Sequence, residues 1–162
     1  MFGPGEYARA LAPLLGQAGG YARALLRNTP DAEDAVQQAA LRGLERLATF
    51  DSDRPFKGWW FAILRNCCID AMRKKKSWKA EPLGDDVAAQ EPPASGEPDW
   101  ARLDRAIARL SSAHQEILRL RYFGELRYAD LAETLRIPEG TVMSRLHLAR
   151  KALSALMSED AP

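Results

Sequence analysis

The amino-acid sequence predicts an all-α fold made of two small helical units joined by a flexible linker. Three observations lead there. Strand signals are scarce: β-branched residues are few, Ala, Leu and Arg dominate, and apolar residues recur at helical spacing. The strip from Ser77 to Asp99 carries four of the ten prolines together with glycines and acids, and it shows no periodicity. Such a strip cannot bury enough apolar surface to offset the entropy of ordering. The length, 162 residues and 18.0 kDa, suits one ordinary domain or two small helical ones. The units are residues 5–76 and 100–156, with the acidic, Pro-rich linker 77–99 between them. A tether of about 20 residues reaches roughly 70 Å when extended, so the units are expected to act at two separated sites and to share no core.

In chain order, Tyr7–Leu26 reads as a first helix or helical pair, with Gly16, Gly19 and Gly20 as the expected break. Asn28-Thr29-Pro30-Asp31 reads as a helix start. Thr29 is expected to cap, Pro30 suits the first helical position, and Asp31, Glu33 and Asp34 favour the positive end of the helix dipole. Ala32, Val36, Ala39, Ala40, Leu44 and Leu47 form its apolar stripe, which leaves Asp34, Gln37, Gln38, Leu41 and Glu45 largely on other faces. Phe50–Lys57, with Asp-Ser-Asp-Arg-Pro inside it, reads as a loop. A helix follows from Gly58 to about Lys76, with Trp59, Ile63, Cys67 and Met72 near one side and Arg73-Lys74-Lys75-Lys76 at its end.

The second unit reads as about four helices. Leu103, Ile107 and Leu110 stripe the first, and Ser111 or Ser112 caps the next, where Ile117, Leu118 and Leu120 precede a break at Phe123-Gly124. Tyr128–Leu135, the turn Arg136–Gly140 and Thr141–Leu153 complete it.

Charge is uneven behind a net value of +1: 12 basic and 8 acidic side chains in 1–76, 1 and 6 in 77–99, 10 and 8 in 100–162. Two mildly basic units thus flank an acidic strip. No apolar run approaches the ~18 residues of a membrane span, and no membrane insertion is expected. Met1-Phe-Gly-Pro-Gly-Glu6 shows no basic region followed by an apolar one, so no secretory leader is expected, and no extra C-terminal domain either. The adjacent Cys67 and Cys68 exclude a disulfide scaffold and point to a reducing cytoplasm and inert roles on an apolar helix. No nucleotide-binding glycine loop, metal cluster or catalytic triad is visible, so no enzyme activity, cofactor or metal is expected; His114 and His147 stand apart.

The strongest motif is Tyr128–Leu153, a helix-turn-helix signal. Leu131, Ala132 and Leu135 bury the first helix, and the small Ala132 lets the second cross closely. Ile137 plugs the turn, Gly140 is expected to relax the backbone where the second helix starts, and Val142, Leu146 and Ala149 anchor that helix. Thr141, Met143, Ser144, Arg145, His147, Leu148, Arg150 and Lys151 are left on its other sides, so its N-terminal half can meet base edges in a major groove. In the first unit the basic run Arg73–Lys76 closes a helix that opens Gly58-Trp59-Trp60-Phe61 after a loop with Phe50 and Phe56. Basic groups hold phosphates while aromatic rings hold unstacked bases. For most of these rings the main role read is a core aromatic cluster, with Trp59 left open between the core and strand separation.

Together these strings resemble an extracytoplasmic-function (ECF) sigma factor, the two-domain class of the sigma-70 family. They are Asp31-Ala-Glu-Asp-Ala-Val-Gln-Gln38 with Leu44, Arg54-Pro-Phe-Lys-Gly-Trp59, Ile63-Leu-Arg-Asn66 and Asp70-Ala-Met-Arg73, then Leu110, Gln115, Ile117-Leu118, Leu120-Arg-Tyr122, Tyr128-Ala-Asp-Leu-Ala-Glu133, Ile137-Pro-Glu-Gly-Thr-Val142 and Ser144-Arg-Leu-His147. The resemblance covers nearly everything except the linker. It implies a protein that binds core RNA polymerase and directs it to promoter DNA. The first unit resembles region 2, whose Asp-x-x-Gln helix docks on polymerase; this maps to Asp34, Gln37, Gln38, Leu41 and Glu45. The loop and helix that capture a flipped minus-10 base and help melt the duplex map to Phe56, Trp59, Arg65, Asn66, Asp70, Arg73 and Lys74. The second unit resembles region 4, the minus-35 reader. The linker resembles one threaded toward the RNA exit path, where its acids mimic RNA. The resemblance also implies an anti-sigma factor as a further partner.

Met143 and Leu148 depart from the family, which often carries Lys or Arg there. Their loss of charge predicts weaker or differently specified minus-35 binding, through apolar contact to thymine methyls. Two other readings compete: a sigma-like protein that sequesters an anti-sigma factor without driving transcription, and a stand-alone helix-turn-helix regulator of duplex DNA.

Overall fold

The computed structural model describes residues 2–80 and 98–159, and no strand occurs among them. The first unit runs α1 (Pro4–Leu11), a 3-10 turn (Ala12–Leu14), α2 (Leu15–Leu26), α3 (Thr29–Glu45), a 3-10 turn (Leu47–Thr49) and α4 (Phe56–Ala80). The second runs α5 (Pro98–Ala108), α6 (Ser112–Tyr122), α7 (Tyr128–Leu135) and α8 (Glu139–Glu159). The linker reading falls outside the described residues for 81–97, while α4 continues to Ala80 and α5 already starts at Pro98.

Local chemistry moved several expected boundaries. The break between the first two helices sits at Ala12–Leu14, where Pro13 removes a backbone donor, and not at the glycines. Gly19 and Gly20 lie inside α2, and Gly20 faces the Phe123 carbonyl, 3.7 Å from where a Cβ would be. Asn28, not Thr29, caps α3: its backbone is extended and its side chain accepts from the Asp31 N–H at 3.0 Å. The loop ends two residues earlier than expected, because Pro55 leads directly into α4 and its carbonyl accepts from the Trp59 N–H. Gly140 lies within the first turn of α8, and the left-handed position of the turn is taken by Arg136 at φ 54°. Ile137 N–H returns to the Ala132 carbonyl at 3.1 Å and closes the end of α7.

Small residues set the core of the first unit. The buried face of α3 is Ala32, Ala35, Ala39 and Gly43, while Leu44, expected in the stripe, is exposed. Such a face lets α2 and α4 approach closely. A Cβ on Gly43 would collide with the Tyr7 hydroxyl and stand 3.1 Å from Trp60 Cδ1. That hydroxyl donates to the Ala40 carbonyl at 2.7 Å and accepts from Trp60 Nε1 at 3.1 Å, tying α1, α3 and α4 together. On α4 the fully buried rings are Trp60 and Phe61, joined by Ile63, Leu64, Cys67 and Cys68; Trp59 is only half-buried and Met72 is exposed. The apolar side of α4 is thus turned one residue from the expected one, because this helix is covered on two sides. Burial pushes both thiols up, Cys68 to about 12. In the second unit Ile107, Ile117, Leu118, Leu120, Leu131, Val142, Leu146 and Ala149 are fully buried.

The expectation that the two units share no core is corrected: their buried side chains form one contiguous cluster. The joint is α4 against α7, with α2 against α6 beside it. Thr134 Oγ1 donates to the Gly58 carbonyl at 2.8 Å in a buried bond across it. Gly58 permits the approach, since a Cβ there would stand 2.8 Å from the Asp130 carbonyl oxygen. Around this contact Lys57 Nζ donates to the Glu125 carbonyl at 2.9 Å, Gln17 Nε2 to Glu125 Oε2 at 2.8 Å, and Arg27 pairs with Asp104 at 2.6 Å. Arg54 pairs with Glu133 at 3.5 Å and Arg65 with Glu116.

Candidate polymerase and nucleic-acid interfaces

Three surfaces carry the residues singled out from the sequence. The first is the outer side of α3. With Ala32, Ala35, Ala39 and Gly43 buried, helical geometry turns Asp34, Gln37, Gln38, Leu41 and Glu45 outward, and all five are exposed. Leu41 is 64% exposed and Leu44 43% exposed, so the face combines amides and carboxylates with two open leucines. Leu41 thus stands open at the centre of a polar face.

The second surface is the loop before α4 and the helix itself. The Phe50, Phe56 and Trp59 rings form a cluster with centroids 4.8 Å apart for Phe50–Trp59, 5.5 Å for Phe50–Phe56 and 5.7 Å for Phe56–Trp59. Phe2 joins it at 5.0 Å from Phe50. The loop is shaped by Asp51, whose side chain accepts from the Asp53 N–H at 3.0 Å and whose carbonyl accepts from the Arg54 N–H at 3.0 Å. Spaced seven, four and three residues apart, Trp59, Asn66, Asp70 and Arg73 share one face of α4, with Lys74 and Phe56 flanking it. Asn66, Arg73 and Lys74 are exposed. Asp70 accepts from Arg42 Nη1 at 3.1 Å, and that bond holds the Arg42 guanidinium above its ordinary pKa. Arg65 leaves this face; it points to the second unit and pairs with Glu116 of α6. The minus-10 candidates therefore make one face plus one residue turned away from it.

The third surface is α8. Val142, Leu146, Ala149 and Leu153 form its single buried stripe. Met143, Ser144, His147, Leu148 and Lys151 are exposed, and Thr141, Arg145 and Arg150 are half-buried. Ser144 Oγ spends its hydrogen on its own helix, toward the Gly140 or Thr141 carbonyl, both at 3.2 Å. Arg150 Nε donates to the Tyr122 hydroxyl at 3.1 Å, and its guanidinium lies 5.9 Å from the Tyr122 ring centroid. That bond, the largest of several causes, raises the Arg150 pKa. Tyr122, quoted only within the string Leu120-Arg-Tyr122, was given no role from the sequence. Its signal is an aromatic ring at a helix end, outside the Ile117-Leu118-Leu120 stripe and 45% exposed. Arg54, Lys57, Glu116 and Glu133 were also missed, since nothing local marks a charge that pairs across the joint.

Among the described residues, no helix is long and apolar enough to cross a membrane, and no group of His, Cys, Asp and Glu is placed to hold a metal ion. Comparison with known proteins assigns the two units separately. Residues 11–78 match the family model for sigma-70 region 2, and residues 100–153 the model for sigma-70, region 4. The chain is 34% identical over 145 residues to the ECF RNA polymerase sigma factor SigL of Mycobacterium tuberculosis, covering 86% of this chain and 81% of that protein. It is 30% identical over 144 residues to the ECF RNA polymerase sigma factor SigW of Bacillus subtilis, covering 80% and 76%. Among solved structures, the sigma factor RpoE of Bartonella quintana in complex with the anti-sigma factor NepR superposes with a TM-score of 0.72 at 26% identity, over 96% of this chain and 99% of that one. CnrH, solved with the cytosolic domain of CnrY, shares the fold at a TM-score of 0.72 and 23% identity, over 96% and 90%. On its two matched regions and these relatives, the chain belongs to the ECF sigma factors of the sigma-70 family.

Proposed function

We propose the division of labour by which this sigma factor binds core RNA polymerase and directs promoter-specific initiation. The unit 5–76 docks on polymerase through Asp34, Gln37, Gln38, Leu41 and Glu45, and grips the melted minus-10 strand through the face of Trp59, Asn66, Asp70 and Arg73 with Phe56, Lys74 and Arg65. The unit 100–156 reads the minus-35 duplex with α8, and the acidic linker 77–99 joins the two. The observation that carries this reading is the circumference of α8: one buried stripe, with Met143, Ser144, His147, Leu148 and Lys151 open for a groove. In such a groove Arg145 and Arg150 supply charged donors, and Met143 and Leu148, 56% and 55% exposed, supply apolar contacts to thymine methyls.

The protein works by binding and not by catalysis. Opening a duplex costs a few kcal/mol per base step, and holding an extruded base offsets that cost. It acts in the cytoplasm, where polymerase is. An anti-sigma factor is a further partner, supported by the likeness of the whole chain to RpoE captured with NepR.

The test is reconstitution. Core polymerase, this chain and a library of promoter fragments are mixed, and run-off transcripts are scored. Start sites absent with core polymerase alone are the expected result. Failure to bind core polymerase overturns the reading, and binding without transcripts transfers support to a sequestering role.

A further inference from the structure

The arginines of this chain are held in two ways. Arg27, Arg42, Arg54, Arg65 and Arg109 each meet a carboxylate, so their charge is answered within the fold. Arg150 is held by phenols instead. Its Nε donates to the Tyr122 hydroxyl at 3.1 Å, and its guanidinium lies 5.9 Å from the centroid of that ring. Besides burial, the groups that act on its charge are Tyr122 and then Tyr128. A phenol oxygen fixes a guanidinium without cancelling its charge. An arginine gives up side-chain freedom when it grips an anion, and one that is already fixed gives up less. With Nε occupied, the two Nη groups remain as donors, in the forked geometry that suits a phosphate.

Position points the same way. Arg150 follows Met143 by seven residues and His147 by three, so it continues their row along α8, on the flank that packs against α6. Seven residues at 1.5 Å place it about 10 Å beyond Met143, close to the ~12 Å width of a major groove. With Met143 against base edges, Arg150 falls at the border of the groove, where the phosphates run. Tyr122 is the last residue of α6, a helix anchored by the buried Ile117, Leu118 and Leu120. The Phe123 and Gly124 N–H groups both return to the Arg119 carbonyl, at 2.9 and 3.2 Å, and close that helix end. The hydroxyl therefore stands on a firm support while its ring stays 45% exposed.

We propose that Tyr122 is a positioning residue for DNA binding: it sets Arg150 to grip a backbone phosphate at the edge of the minus-35 groove. A contact of this kind fixes the register of α8 on the duplex and carries no base preference. The clamp presupposes the reading of α8 as the minus-35 helix.

A double-mutant cycle on the full chain tests it, read by fluorescence anisotropy with a panel of labelled minus-35 duplexes. Tyr122→Phe keeps the ring and removes the hydroxyl. It is expected to weaken binding about three- to tenfold, equally across the panel, with an unchanged thermal melt. Arg150→Ala is expected to weaken binding at least as much and to lower the salt slope by about 0.9. In the Arg150→Ala background, Tyr122→Phe is expected to cost nothing more. Undiminished binding by Tyr122→Phe overturns the proposal. So does an equal loss in both backgrounds, since the hydroxyl then acts without Arg150, and so does a changed sequence preference, which puts Arg150 on a base. A wild type that binds no duplex overturns the clamp together with the role of α8. Run-off transcription by the same chains with core polymerase separates the remaining failures. Coupling without transcripts leaves the clamp standing and removes the promoter role, whereas transcripts without coupling remove the clamp alone.

Discussion

The two longest helices, α4 with 25 residues and α8 with 21, use their surfaces in opposite ways. On α4 almost every side is occupied: one carries Trp60, Leu64 and Cys67 into the core, a second meets α7 and α6 through Gly58, Phe61 and Arg65, and only the third is open. On α8 a single stripe is buried, its flanks are half-buried and the side carrying Met143, Ser144, His147, Leu148 and Lys151 faces out. A helix held on two sides positions its remaining face accurately but cannot change without disturbing the fold. A helix held on one side can vary its outer residues at little structural cost, which is how Met143 and Leu148 are accommodated.

The contrast can be broken most severely at α4. Trp60→Ala is expected to cost about 3–5 kcal/mol, because it removes a fully buried ring and leaves the Tyr7 hydroxyl without its indole donor. Its neighbour Trp59→Ala is expected to cost less than half of that in a urea melt and to act instead on open-complex formation, since its ring is only half-buried. Equal losses of stability at the two tryptophans would erase the distinction between the inner and outer faces. On α8 the order is reversed. Arg145→Ala should leave the melting curve within about 0.5 kcal/mol yet weaken minus-35 duplex binding by about 1–3 kcal/mol, read by fluorescence anisotropy.

Met143→Lys should sharpen the comparison further. It adds a cation to an open position, so the salt dependence of duplex binding should steepen by a slope of about 0.9 and the sequence preference should shift. Unchanged affinity and preference across a panel of minus-35 duplexes would discredit the part given to that side chain. The smallest effect at neutral pH belongs to the thiols. With the Cys68 pKa pushed up to about 12 from 9.0, the folded state favours the neutral thiol. Its contribution to stability is complete below pH 9 and is lost as pH rises toward 12, when the unfolded chain releases a proton that the folded chain keeps. Thermal melts at rising pH should show this slope, and Cys68→Ala should flatten it. Alkylation at pH 7 should leave the folded chain unmodified; rapid labelling would overturn the inert role given to Cys67 and Cys68.

The helical units and the helix-turn-helix were legible because period and caps are local. Ser111 caps α6 as expected, with its side chain accepting from the His114 N–H, and Val142, Leu146 and Ala149 anchor α8. Which of two adjacent tryptophans is buried was not legible, since Trp59 and Trp60 differ by one helical step and the choice is made by distant partners, Tyr7 and Gly43, that receive Trp60. For the same reason Leu44 was placed inside and Gly43 overlooked: the stripe of α3 is chosen by how closely Tyr7 and Trp60 approach. The outward-facing residues of α3 and α8 followed from helical period, whereas the assignment on α4 came from the resemblance. The pairs at the joint were found by neither, because Arg65 and Glu116 are 51 positions apart in sequence.

Helix α4 does not stop where its core does. Among the described residues its last buried one is Cys68, and the helix runs on to Ala80, tied on the way by Lys75 to Asp31 at 3.9 Å. Twelve further residues at 1.5 Å each make a mast of about 18 Å. Whatever follows Ala80 therefore sets out from the tip of a stiff spar and not from the hull of the first unit.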